Sequence, residues 1–179
     1  MNPQAGSLDA AQVWAWLADV PDPEIPVISV VDLGIVRTVE VTGARACVVT
    51  ITPTYSGCPA MQVIADAVTE ALRAHGVEHV TLVNQLSPAW TTDSMSDEGK
   101  AKLKGYGIAP PQQQVIDISG LGRGAAVGVK RVAMPKLDVI CPNCGSNHTQ
   151  LTSQFGSTPC KALYKCIDCR EPFDYFKCH

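Results

Sequence analysis

Hydrophobic residues recur along this chain with different rhythms, and the changes of rhythm mark its elements. Over residues 7–19, Leu8, Ala11, Ala15, Leu17 and Ala18 return at helical spacing behind Ser7, whose hydroxyl suits an N-cap, so a first helix is expected there. Pro21, Pro23 and Pro26 end it. Residues 35–42 and 46–52 alternate apolar with polar positions and are rich in β-branched side chains; with the turn at Gly43-Ala44 they predict a hairpin. A second helix is expected after Pro59, which suits a first turn, with Ile64, Ala67, Val68, Ala71 and Leu72 on one face and Gly76 as its stop. Residues 79–86 read as a third strand, and 97–104 as a short polar helix capped by Ser96. The order of helix, two strands, helix, strand and helix predicts an α+β domain, a small sheet with helices on one face.

The rhythm then fails. Pro110-Pro111, the run Gln112-Gln113-Gln114, and Gly120, Gly122, Gly124 and Gly128 predict a linker, with a short strand candidate at residues 115–118. The Gly-Leu-Gly-Arg-Gly stretch at 120–124 lacks the Lys-Ser/Thr pair and the strand-to-helix setting of a phosphate loop. The expected organisation is therefore a domain at 1–108, a linker at 109–136 and a terminal module at 137–179, with no internal repeat.

Composition narrows the function classes. With 46% hydrophobic and 17% charged residues the chain can bury a core and is unlike a disordered polymer. A net charge of −3 supplies no overall field that would draw nucleic acid or an anionic membrane. No run of eighteen apolar residues exists, and residues 1–6 lack the basic and apolar regions of a signal peptide, so a cytoplasmic protein is expected. In that reducing setting, cysteines in spaced pairs point to metal or redox chemistry rather than disulfides.

Six of the eight cysteines fall between Cys141 and Cys178. Cys141-Pro142-Asn143-Cys144 and Cys166-Ile167-Asp168-Cys169 are two Cys-x-x-Cys pairs separated by 21 residues, the spacing of a four-thiolate zinc site. Two intervening residues let each pair turn both sulfurs toward one ion, and Gly145 permits the backbone such a knuckle needs. A module of about 40 residues buries too little apolar surface to fold unaided, so a structural metal is physically expected. Rubredoxin also holds iron with two knuckles, but its second repeats the proline and glycine of the first. Asp168 and Arg170 depart from that pattern, which favours zinc. Cys160 and Cys178 compete as ligands on sequence grounds, Cys160 more strongly, while His179 reads as a solvated terminus.

The two remaining cysteines differ. Cys47 sits on an alternating strand and reads as a small core side chain. Cys58 precedes the second helix, where unpaired backbone donors and the helix dipole are expected to favour its thiolate as nucleophile, redox group or soft-metal ligand. The loop Asp22-Pro23-Glu24-Ile25-Pro26 holds two carboxylates among residues of fixed φ, a stiff acidic turn suited to positioning ligands.

Residues 22–36, Asp-Pro-Glu-Ile-Pro-Val-Ile-Ser-Val-Val-Asp-Leu-Gly-Ile-Val, and 54–60, Thr-Tyr-Ser-Gly-Cys-Pro-Ala, resemble the SufT-like family of iron–sulfur assembly proteins over roughly residues 8–108. Residues 86–93, 153–166 and 170–177 extend the likeness, across both modules, to a family of accessory components of bacterial phenylacetyl-CoA epoxidase systems. The resemblance implies a maturation factor for a multicomponent di-iron monooxygenase of aerobic phenylacetate degradation, delivering iron or an iron–sulfur cluster. Its implied site is Cys58 as transient ligand, with Asp22 and Glu24 as hard ligands or orienting groups, and zinc held by Cys141, Cys144, Cys166 and Cys169. Its implied partners are the reductase or the di-iron oxygenase component, with self-association left open. Two other classes stand beside it: a rubredoxin-like electron carrier within the epoxidase, and a nucleic-acid-binding zinc ribbon. The latter is supported only by Lys136, Lys161, Lys165, Arg170 and Lys177, which read as a solvated face. No nucleotide signature or catalytic triad is present, so independent catalysis is not expected.

Overall fold

The computed structural model describes residues 8–112 and 139–177. Ser7, the strand candidate at 115–118, the glycine-rich stretch at 120–124, Lys136, Cys178 and His179 lie outside them. The helix α1 (Ala10–Ala18) takes Asp9 as its N-cap, with the Gln12 side chain accepting from the Asp9 N–H at 3.2 Å. Its buried face corrects the expected stripe. Val13 and Leu17 point inward one turn apart, whereas Ala11, Ala15 and Ala18 are exposed. The larger side chains gain more from leaving water, so they set the face.

The strands β1 (Val36–Gly43) and β2 (Ala46–Ile51) form the expected antiparallel hairpin. Helix α2 (Met61–Ala74) crosses from β2 to β3 (His79–Asn84), which pairs parallel to β2. The burial pattern of β2 alternates, turning Cys47, Val49 and Ile51 into the core that also takes Ile64, Val68 and Leu72 of α2 and the buried face of α1. Helix α2 ends in a Schellman motif: the Gly76 N–H donates to the Arg73 carbonyl at 2.9 Å and the Val77 N–H to the Leu72 carbonyl at 3.1 Å. Gly76 supplies the left-handed φ of 87° that the motif requires.

Helix α3 (Asp97–Gly105) is capped as expected, Ser96 Oγ accepting from the Gly99 N–H at 2.9 Å. It also pins the segment after the acidic loop. Asp32 accepts from Ser96 Oγ at 2.9 Å and from Lys102 Nζ at 2.7 Å, and the Trp90 indole N–H donates to the Leu33 carbonyl at 2.9 Å. Gly34 cannot carry a side chain here, because a Cβ would sit 2.1 Å from the Ser94 carbonyl oxygen.

The chain after α3 enters a second sheet. The short strand β4 (Ile108–Ala109) pairs parallel to β7 (Pro172–Phe176), which pairs antiparallel to β6 (Lys161–Cys166), and β6 to β5 (Thr149–Ser153), giving the order β4-β7-β6-β5. The fold is thus α+β with a small ribbon joined to it. The join is also a packing seam. Phe176 is fully buried and Cys160 nearly so, both within the apolar core of the first module, and the Phe176 ring lies 5.9 Å from that of Trp90. Among the described residues no helix is long and apolar enough to cross a membrane.

Because Phe176 closes the core of one module from the strand of the other, Phe176→Ala is expected to destabilise both, by about 3–5 kcal/mol. Hydrogen exchange should show protection falling in β2 and α2 as well as in β6 and β7.

Candidate metal centres

Two clusters of metal-ligating side chains are built by different means. In the first, the pairs Cys141/Cys144 and Cys166/Cys169 converge so that all four sulfurs lie within 4.8 Å of one another. Cys141 Sγ stands 3.8 Å from Cys169 Sγ, and Cys144 Sγ 3.5 Å from Cys166 Sγ. Zinc–thiolate bonds of about 2.3 Å in a tetrahedron set sulfur–sulfur edges of roughly 3.8 Å, so the four positions fit one such ion. The backbone makes both knuckles alike. Gly145 and Arg170, each following the second cysteine of its pair, take φ of 76° and 68°. Arg170 therefore departs from the first knuckle in sequence but not in conformation. In the ion-free cluster the Cys169 backbone N–H holds the Cys166 thiol down, to about 7, while burial and the facing Cys166 sulfur push the Cys169 thiol up, to about 12. Asp168 ties the knuckles together, accepting from Ser146 Oγ and facing His148 Nδ1 at 3.4 Å.

The second cluster lies in the first module, at the seam. Asp22 is buried and its Oδ1 accepts from the backbone N–H groups of Glu24 at 2.9 Å and Ile25 at 2.8 Å, the turn that makes the acidic loop stiff. Cys58 precedes the α2 cap Ala60 and faces the backbone N–H groups of Ala60 and Met61. Pro59 thus lies just outside the helix. Asp22, Glu24 and Cys58 line one narrow pocket, together with Leu33, Ile64 and Phe176.

Its electrostatics correct one expectation. Burial pushes the Cys58 thiol up, and Glu24 and Asp22 push it further, outweighing the helix-start donors. Without a bound cation the group is a thiol, not a favoured thiolate. Burial also raises Asp22, against the lowering effect of its two backbone donors.

The pocket has a fourth member able to ligate a metal, which the spacing of the cysteines does not reveal. Cys160 is not at the knuckles. It precedes β6, lines the same pocket, and its thiol points at Glu24 Oε2, 3.7 Å away. Burial holds it up at about 11, with Glu24 adding and the Thr158 hydroxyl opposing. Lys161, expected on a solvated face, is instead buried and lies 3.6 Å from Asp174 Oδ2. Pairing with that carboxylate compensates the lysine for the water it gives up.

Comparison with known proteins defines the class first. Residues 10–84 match the family described as iron–sulfur cluster assembly protein, and residues 128–177 match the PaaD zinc beta ribbon domain. The four-cysteine cluster is therefore that of a zinc ribbon, and the chain joins it to an iron–sulfur assembly domain. Over that domain it is 38% identical, across 88 residues, to an Fe–S protein maturation auxiliary factor of Porphyromonas gingivalis (strain ATCC BAA-308 / W83), covering 49% of this chain and 83% of that one. It is 40% identical, across 85 residues, to the Fe–S protein maturation auxiliary factor SufT of Staphylococcus aureus (strain USA300), covering 47% and 96%. Over both modules it is 47% identical, across 167 residues, to an Escherichia coli (strain K12) protein provisionally named as the D component of 1,2-phenylacetyl-CoA epoxidase, covering 93% of this chain and 92% of that one. The chain belongs to the PaaD family.

Asp22 gives a direct test of the pocket's electrostatics in cargo-free protein. Its folded value lies above its unfolded one, so its contribution to stability is present below the unfolded value of about 3.9 and is lost as pH rises through the raised folded value. Asp22→Asn keeps an acceptor for the two backbone donors and removes that loss. Urea midpoints measured from pH 4 to 8 should fall more steeply for wild type, with the variant at least as stable at neutral pH.

Proposed function

We propose that this protein is an accessory factor that matures a multicomponent phenylacetyl-CoA epoxidase in the cytoplasm by delivering iron or an iron–sulfur cluster to its reductase or di-iron oxygenase component. The observation that carries this reading is the meeting of Cys58, Asp22 and Glu24 in one pocket of an iron–sulfur assembly domain. Maturation factors among its relatives share that domain, and the relative named for the epoxidase is similar across the ribbon as well.

The chemistry follows from the side chains. A soft thiol and hard carboxylates together suit iron, which accepts both donor types. Binding displaces the Cys58 proton, and the raised affinity of the site for protons makes the metal easy to exchange, since protonation competes with it. A carrier needs that reversibility. The four-thiolate ribbon lacks it and serves as structure and as the surface that recognises the client.

Cys58→Ser should leave folding and zinc content close to wild type, because one atom changes beside an exposed loop. Iron content and activity of epoxidase purified from cells carrying the variant should fall at least about tenfold. Cys47→Ser, in the core, should cost stability without impairing maturation. Client maturation at the wild-type rate by Cys58→Ser, in cells lacking other carriers, would contradict the reading.

A further inference from the structure

We propose that the ribbon supplies a ligand to the transfer site: Cys58 and Cys160, with Glu24 beside them, hold a single divalent metal ion of borderline softness between the two modules. This rests on the reading of Cys58 as a cargo ligand and adds a second thiolate, contributed by a residue 102 positions away in the chain.

The fold gives Cys160 unusual surroundings. A free cysteine in a core is ordinarily enclosed by apolar groups. Cys160 is 5% exposed, yet its sulfur faces a carboxylate oxygen at 3.7 Å and a hydroxyl, Thr158 Oγ1, at 3.0 Å, in a pocket that also holds Cys58 and Asp22. Two thiols and two carboxylates, Asp22 and Cys160 buried and Cys58 and Glu24 half-buried, repel one another in their charged forms. A divalent cation reverses that, turning each repulsive neighbour into a ligand or a counter-charge.

The position of Cys160 is fixed from several directions, as a ligand's must be. Gly156 donates its N–H to the Lys161 carbonyl at 2.8 Å, and a Cβ on Gly156 would fall 2.5 Å from Asp174 Oδ1. Lys161 donates its N–H to the Thr158 carbonyl at 3.0 Å, and the Lys177 N–H donates to the Cys160 carbonyl at 3.0 Å. At its far end the adjoining strand β6 terminates in Cys166, one of the zinc-site thiolates. The zinc clamp therefore holds the strand whose start presents Cys160 to Glu24.

Size selects the guest. The void among these side chains is about 10 Å³, room for one water or one ion. These side chains do not converge as the ribbon cysteines do, so Cys58, Glu24 and Cys160 draw together around the ion when it binds.

The test uses full-length protein with its zinc in place, titrated anaerobically with Co(II), whose thiolate charge-transfer absorption counts sulfur ligands. Wild type should bind one equivalent with a two-thiolate band, and Co(II) should protect Cys58 and Cys160 together from iodoacetamide, as mapped by mass spectrometry. Cys160→Ser should keep its zinc, lose about half the band and bind at least about tenfold more weakly. A Cys160→Ser protein with the wild-type band, while Cys58→Ser has lost it, would overturn the proposal and leave the Cys58 site standing. Wild-type bands in both variants would overturn both. If Cys160→Ser does not fold, protection in wild type decides: Cys160 alkylated at the same rate with and without Co(II) refutes the shared site.

Discussion

The structure turns on the seam where β7 of the ribbon meets the first module. The ribbon's own buried cluster is small, built chiefly from Val139, Ala162, Phe173, Tyr175 and two of its cysteines, with Ala109 donated from the other side. Such a module cannot hold itself together by apolar burial alone. Two restraints make up the deficit. Four thiolates clamp one end, and the pairing of β4 with β7 and the burial of Phe176 anchor the other. Strand β6 runs between them. At about 3.3 Å per residue its six residues span roughly 20 Å, so the zinc acts on the pocket mechanically rather than through its charge.

The pocket at the seam is electrostatically unfinished. Burial raises Asp22, Cys58 and Cys160 alike, and the carboxylates of Asp22 and Glu24 raise both thiols further. Lys161 offsets part of this, lowering both Asp22 and Cys160, but it is itself engaged near Asp174. A cation that enters the pocket must displace these protons, so protonation competes with its binding.

How much of this is legible in the sequence depends on distance along the chain. The zinc cysteines are paired by local spacing, and α2 and the hairpin by local periodicity, so those readings need no tertiary information. The face of α1 is not legible in the same way, because alanines carry the helical period without the apolar area that decides burial. A favoured Cys58 thiolate follows from the helix start alone. The opposing carboxylates come from a loop more than thirty positions earlier, Glu24 being 34 residues before Cys58, and their depth beside it is a tertiary fact. Cys160 is visible in sequence only as a spare cysteine near two knuckles. Its partner Glu24 lies 136 residues away, and no pattern within either module announces the pairing. Lys161 misleads for the same reason, since a surface charge and a buried counter-charge look identical in sequence.

Assembly domain and ribbon together build one mononuclear, mixed-donor site separate from the zinc, and that is the central claim. Iron K-edge X-ray absorption on protein carrying its zinc and one equivalent of Fe(II) tests it most directly. The account predicts a first shell of two sulfur scatterers with oxygen donors and no iron neighbour at short distance. Four sulfurs would place iron in the ribbon, and oxygen alone would remove both cysteines from the site; either result would contradict it.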